Sequence, residues 1–140
     1  MPRYVAERVL RAPIDDVWAF LADPYNLGDW WPGVSGVEPD RRGLAAGARW
    51  KVVGPNQPSY FRRPQASGTL VVLDVAPLER LAFQLTRDRI EADITLQATG
   101  EQRTQVSLVV AAPFLSGLRR RFPARALDRL YERLQTATDV

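Results

Sequence analysis

The fold of this chain is decided by the stretch VLRAPIDDVWAFLADP, which occupies residues 9–24. It begins inside residues 4–11, a segment rich in β-branched and aromatic side chains that predicts a strand. Ala12-Pro13 ends that strand. A short helix is then predicted over residues 17–22, with Asp15 or Asp16 as its amino-terminal cap.

The residues after this stretch predict more helix and then a sheet. Asp23-Pro24 ends the first helix, because the residue before a proline avoids the helical backbone conformation. Residues 25–31 predict one or two further helical turns, which Trp31-Pro32-Gly33 closes. The segments with strand character that follow are residues 33–41, 48–53, 67–75, 80–86, 89–98 and 102–111.

Residues 89–98 show the clearest period of two in the chain. Their apolar members share one face and their polar members share the other. Such alternation is typical of an antiparallel sheet with one wet face and one covered face. The residues predicted for the covered face are Ile90, Ala92, Ile94, Leu96 and Ala98.

The last segment changes to a helical period. Its apolar residues Leu127, Leu130, Tyr131 and Leu134 recur at helical spacing, and arginines spaced by four line the opposite face. We expect Pro123 to kink or break this helix near Phe122. The arginines of the opposite face are Arg121, Arg125, Arg129 and Arg133.

Composition limits the chemistry. The chain has 140 residues, 46% of them apolar and 25% charged, which predicts one globular domain over residues 1–140. It contains no Cys and no His, which excludes disulfides, thiol nucleophiles, a Ser-His-Asp triad and metal sites built on Cys or His. We therefore predict no metal and no cofactor, and we assign no catalytic residue.

The charge pattern indicates an ordinary solvated surface. The net charge is +3, Lys51 is the only lysine, and acids are interspersed among the arginines. Mild basicity alone is weak evidence for a nucleic-acid partner, and Asp128 and Glu132 dilute the arginine charge of the last helix, so nucleic acid is disfavoured as a partner. No glycine-rich phosphate loop is visible. The arginine face of the last helix leaves transient contact with a membrane surface open. The chain has no long apolar run, and we expect a cytoplasmic protein, either a monomer or a homodimer.

The stretch over residues 9–24 resembles the opening of the START-like (SRPBCC) superfamily, which includes the polyketide cyclase/dehydrase and lipid-transport group. The resemblance rests on an apolar strand, Ala-Pro, an acid, Val-Trp, a short helix and Asp-Pro. Residues 27–34, LGDWWPGV, are similar to the tryptophan-containing second short helix of that family. The resemblance implies an α+β helix-grip fold, with a curved antiparallel sheet of about seven strands wrapped around a long C-terminal helix and two short helices after the first strand.

The same resemblance implies a hydrophobic pocket between the sheet and the C-terminal helix. We expect it to bind a small lipid- or polyketide-like molecule, and we take aromatic and large aliphatic side chains as its lining. Two alternatives stay open: an enzyme of the polyketide cyclase/dehydrase type, and a regulatory or interaction protein with a vestigial cavity. The candidate ligand-binding residues are Trp30, Trp31, Trp50, Tyr60, Phe61, Phe83, Ile94, Phe114, Leu118 and Phe122.

Overall fold

The elements follow the order expected from the sequence. The computed structural model describes residues 3–32, 34–53, 66–86, 89–113 and 120–138. The strands are β1 (Arg3–Leu10), β2 (Gly36–Glu38), β3 (Arg49–Val53), β4 (Ala66–Ala76), β5 (Arg80–Leu85), β6 (Ile90–Gly100) and β7 (Arg103–Ala111). The helices are α1 (Ile14–Ala22), α2 (Leu27–Trp30) and α3 (Phe122–Thr138), with a 3₁₀ turn at Pro24–Asn26.

The seven strands form one antiparallel sheet in the order β1-β7-β6-β5-β4-β3-β2. Consecutive strands from β2 to β7 are neighbours, and β1 joins the sheet beside β7. The register shifts three times, between Val52 and Val53, between Val72 and Asp74, and between Ala98 and Gly100. Such irregularities bend a strand and increase its twist. The helix-grip prediction of a seven-stranded sheet with a C-terminal helix packed on it is confirmed.

The inner face of the sheet carries most of the core. Phe83 pairs across the sheet with Val72 on one side and Ala92 on the other, and Ala92 pairs with Val110. All four are almost completely buried. The predicted alternation of residues 89–98 is therefore confirmed from Ile90 to Leu96, but not for Ala98, which is exposed. The whole tip of the β6–β7 hairpin, residues 97–103, is exposed, so its outward side chains and its inward ones both meet solvent.

A proline lies at the start of α1 and another at the start of α3, and the cap of α1 differs from expectation. Pro13 occupies the cap position of α1, and Asp15 and Asp16 lie in the first turn, where negative charge favours the positive end of the helix dipole. Pro123 lies in the first turn of α3, so the helix begins near Phe122, where the sequence predicts a kink or break; residues 114–119 lie outside the described part of the chain. A proline is well tolerated there, since the first N–H groups of a helix have no intrahelical partner.

Helix α3 covers one side of the sheet. Its apolar residues Leu127, Leu130 and Leu134 are at most 4% exposed, and Tyr131 packs against the core from its edge. The helix contacts β1 and β7 in the sheet, and α1 and α2 on its other flank. The predicted amphipathic helix is confirmed, because Arg125 and the two arginines that follow it at steps of four are exposed on the opposite side.

Candidate functional site

Four aromatic side chains from α2, the residue after it, β5 and the start of α3 form a cluster. The ring of Trp31 lies 5.5 Å from that of Trp30, 5.2 Å from that of Phe83 and 5.0 Å from that of Phe122, measured between centroids. All three contacts are edge-on, the geometry that the ring quadrupoles favour. We call these four residues the aromatic cluster.

The segment between α1 and β2 positions the two tryptophans of the aromatic cluster. The carboxylate of Asp23 accepts a hydrogen bond of 3.1 Å from the backbone N–H of Tyr25, which fixes the turn into α2. Gly28 lets α2 approach the backbone before β2, since a Cβ at this position would lie 2.3 Å from the carbonyl oxygen of Ser35. The close approach allowed by Gly28 holds Trp30 and Trp31 over the sheet, where each is 1% exposed.

Six of the ten predicted binding residues lie in the described part of the chain and belong to one apolar core. Four of them are the aromatic cluster itself. Ile94 lies at the centre of the sheet, paired with Leu81 and Leu108, and is fully buried. The remaining four predictions, Tyr60, Phe61, Phe114 and Leu118, lie outside the described residues.

Trp50 has a second role on β3. Its indole Nε1–H donates a 2.7 Å hydrogen bond to the carbonyl oxygen of Gly43, so the ring joins the sheet to the loop between β2 and β3. Asp40 fixes the same loop, because its carboxylate accepts hydrogen bonds of 2.9 Å from the backbone N–H groups of Arg42 and Arg49. These bonds, that from Arg49 foremost, hold the pKa of Asp40 below its usual value of 3.8.

An arginine that the sequence analysis did not single out lies on the inner face of β1. Arg8 forms a hydrogen-bonded ion pair with Asp128 of α3, and its guanidinium carbon lies 4.2 Å from the ring centre of Tyr131. The signal was available, since Arg8 shares its alternation with the fully buried Leu10. Arg8 thus joins the first strand to the last helix.

A second cluster of charged side chains lies on the outer face of the sheet. Arg80 binds Asp93 through two hydrogen bonds of 2.9 and 2.7 Å and Asp74 through one of 3.1 Å, on the outer side of β4, β5 and β6. The bonds to Asp93 raise the pKa of Arg80 above its usual value. Among the described buried residues, Thr104 is the only polar one, and its hydroxyl donates to the carbonyl oxygen of Ala12 at 2.9 Å.

A separate polar groove of about 460 Å³ runs between α2 and α3. Its walls are Gly28 and Asp29 on one side and Arg129, Glu132 and Arg133 on the other. The described residues contain no group of three or more acidic side chains placed to hold a metal ion. Nor does any helix within the described ranges combine the length and apolar character needed to cross a membrane.

Solved structures of several proteins share this architecture. A protein from Nitrosomonas europaea is 21% identical, with a TM-score of 0.71, over 99% of this chain and 97% of its own. A protein from Thermus thermophilus is 24% identical, with a TM-score of 0.69, over 98% and 99%. A protein of the dynemicin biosynthetic locus is 20% identical, with a TM-score of 0.67, and this chain covers 48% of it. At these identities the likeness establishes the fold.

The sequence itself identifies the family. None of the curated proteins matches it. The family described as polyketide cyclase / dehydrase and lipid transport matches over residues 1–137, which is nearly the whole chain. The resemblance noted in the opening stretch is therefore confirmed: this chain belongs to the polyketide cyclase / dehydrase and lipid transport family of the START-like superfamily.

Proposed function

We propose that this chain binds a small hydrophobic molecule, lipid- or polyketide-like, in an interior cavity between the inner face of the sheet and α3. The observation that carries the proposal is the position of the aromatic cluster. Trp31 contacts a ring from β5 and a ring from the start of α3, which places large rigid apolar faces between the sheet and that helix. Such faces are typical of pockets for apolar ligands.

The packing of α3 supports the same location. In the sheet this helix contacts β1 and β7, whereas Phe83 and its neighbours belong to β4, β5 and β6. Phe122, the member of the aromatic cluster that α3 supplies, lies in the first turn of the helix. A ligand that fits between these strands and the start of α3 would bury apolar surface on both sides.

Binding is favoured over acid–base turnover by the polarity of the interior. The described buried residues include Thr104 as their one polar member, and its hydroxyl is already bonded to a backbone carbonyl, while the half-buried Arg8 of the inner face is paired with Asp128. A cyclase or dehydrase needs a positioned proton donor or acceptor beside its substrate. A ligand that buries about 250 Å² of apolar surface gains about 6 kcal/mol, which corresponds to a Kd of about 40 μM before ordering costs weaken the binding.

Replacing each of two buried alanines by leucine, in separate variants, tests for the cavity. Ala92 faces inward beside Phe83, whereas Ala126 is buried in α3. If the inner face near Phe83 borders a cavity, Ala92→Leu fills it with little loss of stability, and Ala126→Leu is overpacked and loses about 1–3 kcal/mol. Urea denaturation of both variants measures the difference.

The same variants test ligand binding with 1-N-phenylnaphthylamine, a neutral fluorescent probe. We expect the probe to bind the wild-type protein and the affinity to fall at least about tenfold in Ala92→Leu, because the added side chain occupies the site. Equal destabilisation of Ala92→Leu and Ala126→Leu, or unchanged probe affinity in a folded Ala92→Leu protein, would contradict the proposal.

A further inference from the structure

The outer face of α3 carries an excess of positive charge. Arg125, Arg129 and Arg133 follow one another at steps of four and are exposed. In the described part of the chain they form no ion pair, whereas Arg8 and Arg80 are paired with carboxylates. Arg120 and Arg121 precede the helix and are exposed as well.

The acids of the same helix do not cancel this charge. Asp128 is held by Arg8 of β1, so that pair is neutral and lies on the β1 side of α3. Arg129 and Arg133 lie on the α2 side, where they line the polar groove with Asp29 and Glu132. Five arginines therefore face two remaining carboxylates over this surface, a net charge of about +3.

We propose that this arginine face docks the protein on an anionic lipid bilayer. From Arg125 to Arg133 the stripe extends roughly 12 Å along one side of the helix, and Arg120 and Arg121 precede it, a geometry that suits a flat anionic surface. The aromatic residues of the helix, Phe122 and Tyr131, are turned toward the protein, where they contact Trp31 and Arg8. They are not available to stack on bases, which single-stranded RNA binding uses.

The position of the stripe links docking to the proposed function. It begins beside Phe122, the member of the aromatic cluster supplied by α3. Docking through the arginines would bring that end of the helix close to the bilayer, where a hydrophobic ligand is stored. This inference extends the proposed function, and it is tested by a measurement that needs no ligand.

The experiment is co-sedimentation with vesicles of phosphatidylcholine, prepared with and without phosphatidylglycerol. We expect binding only to the anionic vesicles and a loss of binding as salt is raised, because the Debye length falls. Replacing Arg125, Arg129 and Arg133 by Gln should weaken binding about a hundredfold, since each arginine near an anionic surface contributes a factor of about five.

A second triple variant controls for net charge. Arg11, Arg41 and Arg103 are also exposed and lie outside α3, so replacing these by Gln removes the same charge from other surfaces. We expect its vesicle binding to stay within about threefold of the wild type. Equal weakening of both variants, or no binding of the wild type to anionic vesicles, would overturn the docking proposal.

Two further readouts separate the remaining outcomes. Binding of the wild type to a single-stranded RNA oligonucleotide, with no binding to vesicles, would assign the face to RNA and overturn the proposal. The α3 triple variant should bind 1-N-phenylnaphthylamine as the wild type does, since its substitutions replace exposed side chains that are not part of the apolar core. If the wild type binds anionic vesicles but does not bind the probe, the result contradicts the cavity and still supports docking.

Discussion

The inner face of the sheet is covered by different kinds of side chain at its two ends. Where α3 packs against β1 and β7, the helix contributes Leu127, Leu130 and Leu134, all nearly inaccessible to solvent. Where α2 and the start of α3 approach β5, the contacts are between aromatic rings held edge-on. Branched aliphatic side chains interdigitate and fill space closely, whereas a few large rigid rings define walls. The comparison distinguishes an aliphatic end, which fastens the helix, from an aromatic end, where we propose that the ligand binds.

The largest effect should come from the aliphatic end. Leu130 is completely buried, and Leu130→Ala is expected to lower the free energy of unfolding by about 2–5 kcal/mol, through lost apolar burial and the cavity that remains. Leu85→Ala removes the same atoms from the inner face of β5, where Leu85 is 9% exposed. If the proposed cavity borders Leu85, we expect this substitution to cost less, because the side chain would have fewer neighbours to lose. If urea denaturation gives the same loss of unfolding free energy for Leu130→Ala and Leu85→Ala, the two ends do not differ in the way proposed.

A smaller effect is expected where α2 carries the tryptophans of the aromatic cluster. Gly28→Ala places a Cβ 2.3 Å from the backbone oxygen of Ser35, so α2 must move, at a cost of about 1–3 kcal/mol. The near-ultraviolet circular dichroism of Trp30 and Trp31 should change with it. Gly36→Ala is the matched control, since a Cβ at Gly36 meets nothing within 4 Å. A stable Gly28→Ala protein with an unchanged spectrum would show that α2 is not seated by this contact.

The sequence predicted the aliphatic end better than the aromatic end, for a physical reason. Leu130 and Ile94 lie in segments whose periodicity fixes their face without knowledge of any partner. Trp31 and Phe83 were identified as large apolar residues, but their contact joins two elements about 50 residues apart, which no local pattern encodes. The same applies to Arg8, whose partner Asp128 is 120 residues away.

Pro123 shows a second limit of sequence reasoning. A proline inside an apolar helical pattern either interrupts the helix or begins it, and the pattern alone does not distinguish these outcomes. Here the proline begins α3, which puts Phe122 at the very start of the helix and within reach of Trp31. The position of the ring in the aromatic cluster depends on that local choice.

The smallest effect concerns the loop that Trp50 and Asp40 attach to β3. Hydrogen bonds from the backbone N–H groups of Arg49 and Arg42 lower the pKa of Asp40, so its charged form is favoured in the folded state. A carboxyl group with a lowered folded pKa adds stability above its unfolded value, here 3.8, and loses that contribution as the pH falls through the folded pKa. Asp40→Asn should therefore be less stable than the wild type at neutral pH and equally stable in strong acid.

Urea denaturation of Asp40→Asn across this pH range measures the difference directly. Glu101→Gln, at the exposed tip of the β6–β7 hairpin, removes one negative charge without touching the loop. If Asp40 stabilises the loop through its backbone hydrogen bonds, the Asp40→Asn deficit must exceed that of Glu101→Gln at neutral pH. This deficit must also disappear on acidification. Probe binding by Asp40→Asn at neutral pH should be retained, because the loop is attached to β3 whereas the aromatic cluster lies at β5 and α2. A loss of probe affinity that follows the loss of stability would mean that the loop also shapes the aromatic end.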